Sequence, residues 1–129
     1  MPLIRIDITE GRSDAAIKTL MDTVQDSVVE AFKVPVNDRY QIITEHKPGR
    51  IILEDTGLGF ERTDQAIVIQ VFTSPRTTVN KTKFYKLLAD NLKEQCGLNP
   101  KDLMVSVMTN TDVDWSFGFG SAQYLSGEL

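Results

Sequence analysis

The feature that most constrains this chain is an internal repeat. Arg12 falls on Arg76, Asp38 on Asp102 and Val34 on Leu98, all at one spacing of 64 residues. Ser13 meets Thr77 at the same spacing, and Val24 and Val28 meet Leu88 and Leu92. Few of the paired residues are identical, so the repeat lives in element order and apolar phase. Its halves run over about residues 2–64 and 66–129, within a single domain spanning 1–129.

Each half reads as β-α-β. Ile4, Ile6 and Ile8 alternate with Arg5 and Asp7, the period of a strand with one buried face. Ser13 is placed to cap a helix whose first turn carries Asp14 near the amide dipoles. Ile17, Leu20, Met21, Val24, Val28 and Phe32 then form one apolar stripe. Val34-Pro35-Val36-Asn37 is expected to stop this helix, since proline lacks a donor and restricts the residue before it. Arg39–Thr44 reads as the second strand. Lys47-Pro48-Gly49 is a turn into the short apolar run Ile51–Leu53, and Gly57-Leu58-Gly59 a hairpin turn.

The second half opens on the β-branched run 66–72. Thr77 or Thr78 caps a helix carrying Phe84, Leu87, Leu88 and Leu92, which Gly97 closes in a left-handed conformation. Leu103–Met108 is the last strand before a glycine-rich tail. A helix-length crossover makes the strands of each half parallel. Two such units side by side predict an α+β (α/β) architecture: a four-stranded sheet with both helices on one face. Val68 and Phe72 leave the other face partly apolar, and sheet packing between subunits is the economical cover.

Composition narrows the function classes. The net charge of -4, with 14 basic against 18 acidic residues, argues against nucleic-acid and membrane partners. No apolar run reaches bilayer length, and MPLIRIDITE lacks the layout of a signal peptide. Cys96 is the only cysteine and His46 the only histidine, which leaves no disulfide framework, cysteine cage or histidine-based metal site. A cytoplasmic location is expected. Cys96, late in a helix, is expected to be small and buried. The glycines at 57–59 lack the third glycine and the Lys-Ser/Thr of a phosphate loop.

The chain resembles the tautomerase superfamily, and within it the malonate semialdehyde decarboxylase group. The resemblance is carried by MPLIRIDITEGR at the start, VPVNDRYQ at 34–41, LEDTGLGF at 53–60, SPR at 74–76, FYKLL at 84–88 and DWSFGFG at 114–120. It implies a tandem β-α-β fold, a homotrimer built around packed sheets, no metal or organic cofactor, and a small carboxylic-acid substrate. It also implies that removal of Met1 frees the secondary amine of Pro2 as the catalytic group. A neutral amine there is a general base, and a protonated one an acid or electrostatic catalyst. Burial or a nearby arginine would lower its pKa.

Arg76 matches a substrate-binding arginine of the group, suited to hold a carboxylate through two parallel hydrogen bonds. Ser74 stands where related decarboxylases carry a second arginine, the main departure from the pattern. Asp38 matches the aspartate beside the proline. Trp115, Phe117, Tyr124 and Leu129 match tail positions that wall the pocket and exclude water. Arg12, the repeat partner of Arg76, is expected at the same site, at a subunit boundary, or equally on the surface near a helix start. The activities implied are decarboxylation of malonate semialdehyde, keto–enol tautomerisation of a phenylpyruvate-type acid, or hydration of an unsaturated acid. A non-catalytic binding trimer like migration inhibitory factor is the reading from another class.

Overall fold

The computed structural model describes residues 1–129. The element order is β1 (Leu3–Thr9), α1 (Asp14–Phe32), β2 (Tyr40–His46), β3 (Ile67–Thr73), α2 (Thr78–Cys96) and β4 (Leu103–Thr109). Short 3-10 turns at Pro100–Asp102 and Asp112–Asp114 and a final helical turn at Gln123–Ser126 complete it. The sheet order is β2-β1-β3-β4. The β1/β2 and β3/β4 pairs are parallel, as the crossovers require, and the central β1/β3 pair is antiparallel.

The repeat is a physical symmetry. In the central pair Ile6 faces Ile69, and the couples on either side, Arg5 with Gln70 and Asp7 with Val68, are images of each other. A pseudo-two-fold axis therefore passes between β1 and β3. Ser27 and Asn91, partners in the repeat, meet on that axis, where Asn91 Nδ2 donates to Ser27 Oγ at 3.0 Å. The two termini of this symmetry are consequently at opposite ends of the sheet.

Both helices start by one device. Ser13 Oγ accepts from the Ala16 N–H, and Thr77 Oγ1 accepts from the Asn80 N–H, each at 3.1 Å. Gly97 is left-handed as expected (φ 67) and closes α2, because it has no Cβ to clash there. In α1 the stop comes before Pro35: Lys33 itself turns left-handed (φ 54), its N–H bonding to the Val29 carbonyl.

The core lies between the helices and one sheet face. Ile4, Ile6 and Ile8 of β1 and Ile67, Ile69 and Val71 of β3 are buried against Val24 and Val28 of α1 and Phe84, Leu88 and Leu92 of α2. Each such side chain contributes about 1.5–3 kcal/mol by burial. On the opposite face Leu3, Val68 and Phe72 are only partly covered, and Ile42 and Met104 are exposed. His46 Nε2 there lies 2.6 Å from Asp7 Oδ1. No helix is long and apolar enough to cross a membrane.

Two local expectations are corrected. The turn at 57–59 is not a hairpin, because β2 and β3 are not neighbours; it is held by the Asp55 carboxylate, which accepts from the Gly57 and Gly59 amides. Cys96 is exposed instead of buried, since the last turn of α2 runs past the edge of the core.

Candidate active site

The N-terminal end of β1 and the C-terminal end of β3 lie side by side, because Leu3 pairs with Phe72. Continuing that register puts Pro2 against Thr73 and the terminus against Ser74. Pro2 is buried, and Met1 and Ser74 are half-buried. Arg76 follows three residues after Thr73. Its Nε donates to Thr73 Oγ1 at 3.1 Å, and its Nη1 reaches the Phe32 carbonyl at 3.4 Å. The guanidinium lies over the Phe32 ring, 5.0 Å from its centroid, and that ring packs on Phe84 at 4.8 Å. Phe32 is thus the platform that aims Arg76.

The second parallel strand brings the acid. Asp38 precedes β2, which pairs Tyr40 with Leu3, so the loop 33–39 arrives beside the chain terminus. Asp38 Oδ1 is buried with no hydrogen-bond partner. Burial pushes the Asp38 carboxyl above its ordinary pKa, and the positive terminal amine and Arg76 pull it partly back. The amine responds in kind. Burial lowers its pKa, Asp38 opposes that, and Arg76 lowers it further. Arg76 is lowered by burial, with Tyr124 and Asp38 countering. These three groups form one electrostatic unit.

The tail closes over them. Phe117 stacks on Tyr40 (5.7 Å) and Trp115 (5.3 Å) and takes Tyr124 edge-on at 5.5 Å. The buried Gln123 side chain fixes the turn by accepting from the Phe117 N–H and donating to the Gly118 carbonyl, both at 2.9 Å. Trp115 Nε1 donates to Asn110 Oδ1 at 2.8 Å, and the Asn110 N–H bonds the Thr73 carbonyl, so the aromatic wall and the Arg76 anchor share a backbone. Met1, Asn37, Asp38, Tyr40, Tyr124 and Leu129 line a cavity of about 360 Å³.

The structure therefore brings Pro2, Asp38, Arg76, Tyr124 and Leu129 to one end of the sheet. Trp115 and Phe117 stand behind them as an aromatic stack, and Ser74 flanks the terminus without a hydrogen bond of its own. Arg12 lies elsewhere. It borders a larger cavity, about 490 Å³, at the opposite end; there size and chemistry disagree, and the unpartnered carboxylate and the amine make the smaller cavity the candidate active site. Sequence reasoning missed Phe32, Tyr40 and Gln123. Tyr40 sits inside the 34–41 motif and was within reach; Phe32 was read as core, and nothing marks Gln123.

Comparison with known proteins agrees with this fold. A family model described as tautomerase enzyme matches residues 38–118, and a second with the same description matches residues 2–61. A Bacillus subtilis (strain 168) protein named "Probable tautomerase YrdN" is 50% identical over 129 residues, covering 100% of both chains. The chain belongs to the tautomerase family. Among solved structures, the chain is similar to a malonate semialdehyde decarboxylase described as having decarboxylase and hydratase activities. The TM-score is 0.95 at 46% identity, over 98% of each chain. It is also similar to FG41 malonate semialdehyde decarboxylase inhibited by 3-bromopropiolate, with TM-score 0.94 and 43% identity over 98% of this chain and 97% of that one.

Proposed function

We propose that this tautomerase acts on a small oxo carboxylic acid without a cofactor, using the Pro2 amine released when Met1 is removed. The observation that carries the reading is Asp38 Oδ1, buried and unpartnered, within electrostatic reach of both the terminal amine and Arg76. In the unprocessed chain the Pro2 nitrogen is acylated and has no basicity. Processing moves the amine one residue inward, onto a buried residue.

Decarboxylation of malonate semialdehyde is the favoured reaction, and the two decarboxylase neighbours support it. Arg76 holds the oxo acid, and the Pro2 ammonium donates to the aldehyde oxygen. The C–CO₂ bond breaks and its electron pair passes to the enolate oxygen, where both cations stabilise the developing charge. Carbon dioxide leaves from behind the aromatic wall, and the enolate carbon takes a proton to give acetaldehyde. Asp38 keeps the amine protonated by charge attraction.

A second reading has its own observation. Burial is the largest influence on the Met1 amine and favours its neutral form; Pro2 is itself buried, and a neutral Pro2 amine would serve as the base of a keto–enol tautomerase or of a hydratase of unsaturated acids. Ser74, where related decarboxylases carry an arginine, points the same way. We further infer a homotrimer that covers the half-exposed apolar sheet face, and action in the cytoplasm.

Processed protein assayed with malonate semialdehyde and with phenylenolpyruvate across pH separates the two. A decarboxylase that needs the ammonium loses kcat as pH rises through the amine pKa, whereas a tautomerase that needs the free amine gains it. Turnover of neither compound would contradict the proposal.

A further inference from the structure

The large cavity at the far end of the sheet is the symmetry image of the active site. Arg12 stands for Arg76, Asp102 for Asp38, Gln65 and Ala66 for Met1 and Pro2, and Cys96 for Phe32. The last exchange explains the cavity. At the active-site end the Phe32 ring fills the space between the helices and underlies Arg76. At the far end a thiol occupies that position opposite Leu20, and about 490 Å³ stands open, within the roughly 300–1,000 Å³ of small-molecule sites.

We propose that this cavity is a second, non-reacting ligand site for a short monocarboxylate with an apolar tail. Arg12 supplies the anion recognition. Its guanidinium is half-buried, one Nη2 hydrogen goes to the Gln65 carbonyl at 2.8 Å, and no carboxylate lies within ion-pair distance of it. Its remaining N–H donors can take a carboxylate in the planar, two-bond geometry that guanidinium favours. Beside it the α1 N-terminus adds the positive end of a helix dipole. Ala15, Ala16, Leu20 and Leu98 give the floor an apolar surface for a tail.

The neighbouring acid limits the charge of the ligand. Asp102 is buried, and its carboxylate accepts from the Thr63 amide at 2.7 Å and the Thr63 hydroxyl at 2.6 Å. It borders the cavity with both oxygens held in the protein's own hydrogen bonds, and its charge opposes a dianion. One guanidinium facing one fixed carboxylate suits a monoanion over a phosphate or a dicarboxylate. The site binds and does not react, because the nitrogen at the Pro2 position belongs to the Ala66 peptide bond. The proposal stands on this mirrored geometry and is independent of the chemistry read at Pro2.

Butyrate titrated into ¹⁵N-labelled protein tests it. Saturable shifts are expected at Ala15, Ala16 and 96–98, with a Kd on the order of 1–10 mM. Arg12→Gln weakens the binding about tenfold or more, and Cys96→Phe, which restores the missing ring, abolishes it. Pro2→Ala leaves it unchanged. Shifts confined to 37–40 and Arg76 would overturn the proposal, as would far-end shifts that survive both Arg12→Gln and Cys96→Phe.

Discussion

The two ends of the sheet carry the same arginine and the same aspartate at symmetry-related positions, yet only one leaves its acid without a hydrogen-bond partner. At the Pro2 end the acid is left unsatisfied, the arginine is seated on an aromatic ring, and the chain terminus supplies an amine. At the Ala66 end the acid is fully hydrogen-bonded, the ring is a thiol, and the nitrogen is a peptide. Identity of residue type is therefore a poor guide to role. What separates the ends is which polar groups the fold leaves without partners.

Substitutions made in symmetry-related pairs test this contrast. The largest effect is expected for Pro2→Ala, which keeps a primary amine but loses the fixed secondary one. kcat/KM should fall about 10²–10⁴-fold, the usual worth of a positioned acid or base, and steady-state kinetics on processed protein reads it. Phe32→Ala should destabilise the fold by about 3–5 kcal/mol and raise KM as Arg76 loses its platform. Cys96→Ala, at the exposed image position, should cost under about 0.5 kcal/mol; urea unfolding gives both values.

Arg76→Gln should lower kcat/KM about 10²-fold, the loss of a charged hydrogen-bonding partner of about 2–3 kcal/mol, while Arg12→Gln stays within about twofold of the parent. The aspartates should differ in sign. Burial holds the folded-state pKa of Asp38 above its ordinary value, so the native state binds more protons than the unfolded chain and loses stability as pH rises through that range. Asp38→Asn should accordingly raise Tm at neutral pH by about 1–4 °C while lowering activity. Asp102→Asn breaks the pairing with Thr63 and should lower Tm, by about 1–2 kcal/mol in stability. Thermal melts of the two variants decide this, and equal shifts would break the comparison.

Much of the scaffold was legible in the sequence because it is written twice. The cap at Ser13 and the stripe through Val24 and Val28 recur 64 residues on, at Thr77, Leu88 and Leu92, while the strand alternation of Ile4, Ile6 and Ile8 recurs 63 residues on, at Ile67, Ile69 and Val71. Symmetry hid the differences that matter. Asp38 and Asp102 align without a gap, but β2 begins at Tyr40 and β4 at Leu103, so the two acids stand at different distances from their strands. That one-residue slip lets Asp102 turn into the Thr63 bonds while Asp38 faces the terminus. Placement of the Phe32 ring under Arg76, and the left-handed Lys33 before Pro35, depend on tertiary packing that no local pattern records. For Arg12 the active site, a subunit boundary and the surface near a helix start stayed open together, because its likeness to Arg76 carries no information about which end it occupies.

The account rests on an amine at Pro2 whose proton is governed jointly by Asp38 and Arg76. Intact mass of the purified protein followed by ¹⁵N titration of the proline nitrogen measures this directly. With Met1 removed, the titration midpoint of Pro2 should fall in Asp38→Asn, which removes a charge that favours the ammonium, and rise in Arg76→Gln, which removes one that opposes it. Retention of Met1, or a midpoint that neither substitution moves, would contradict it.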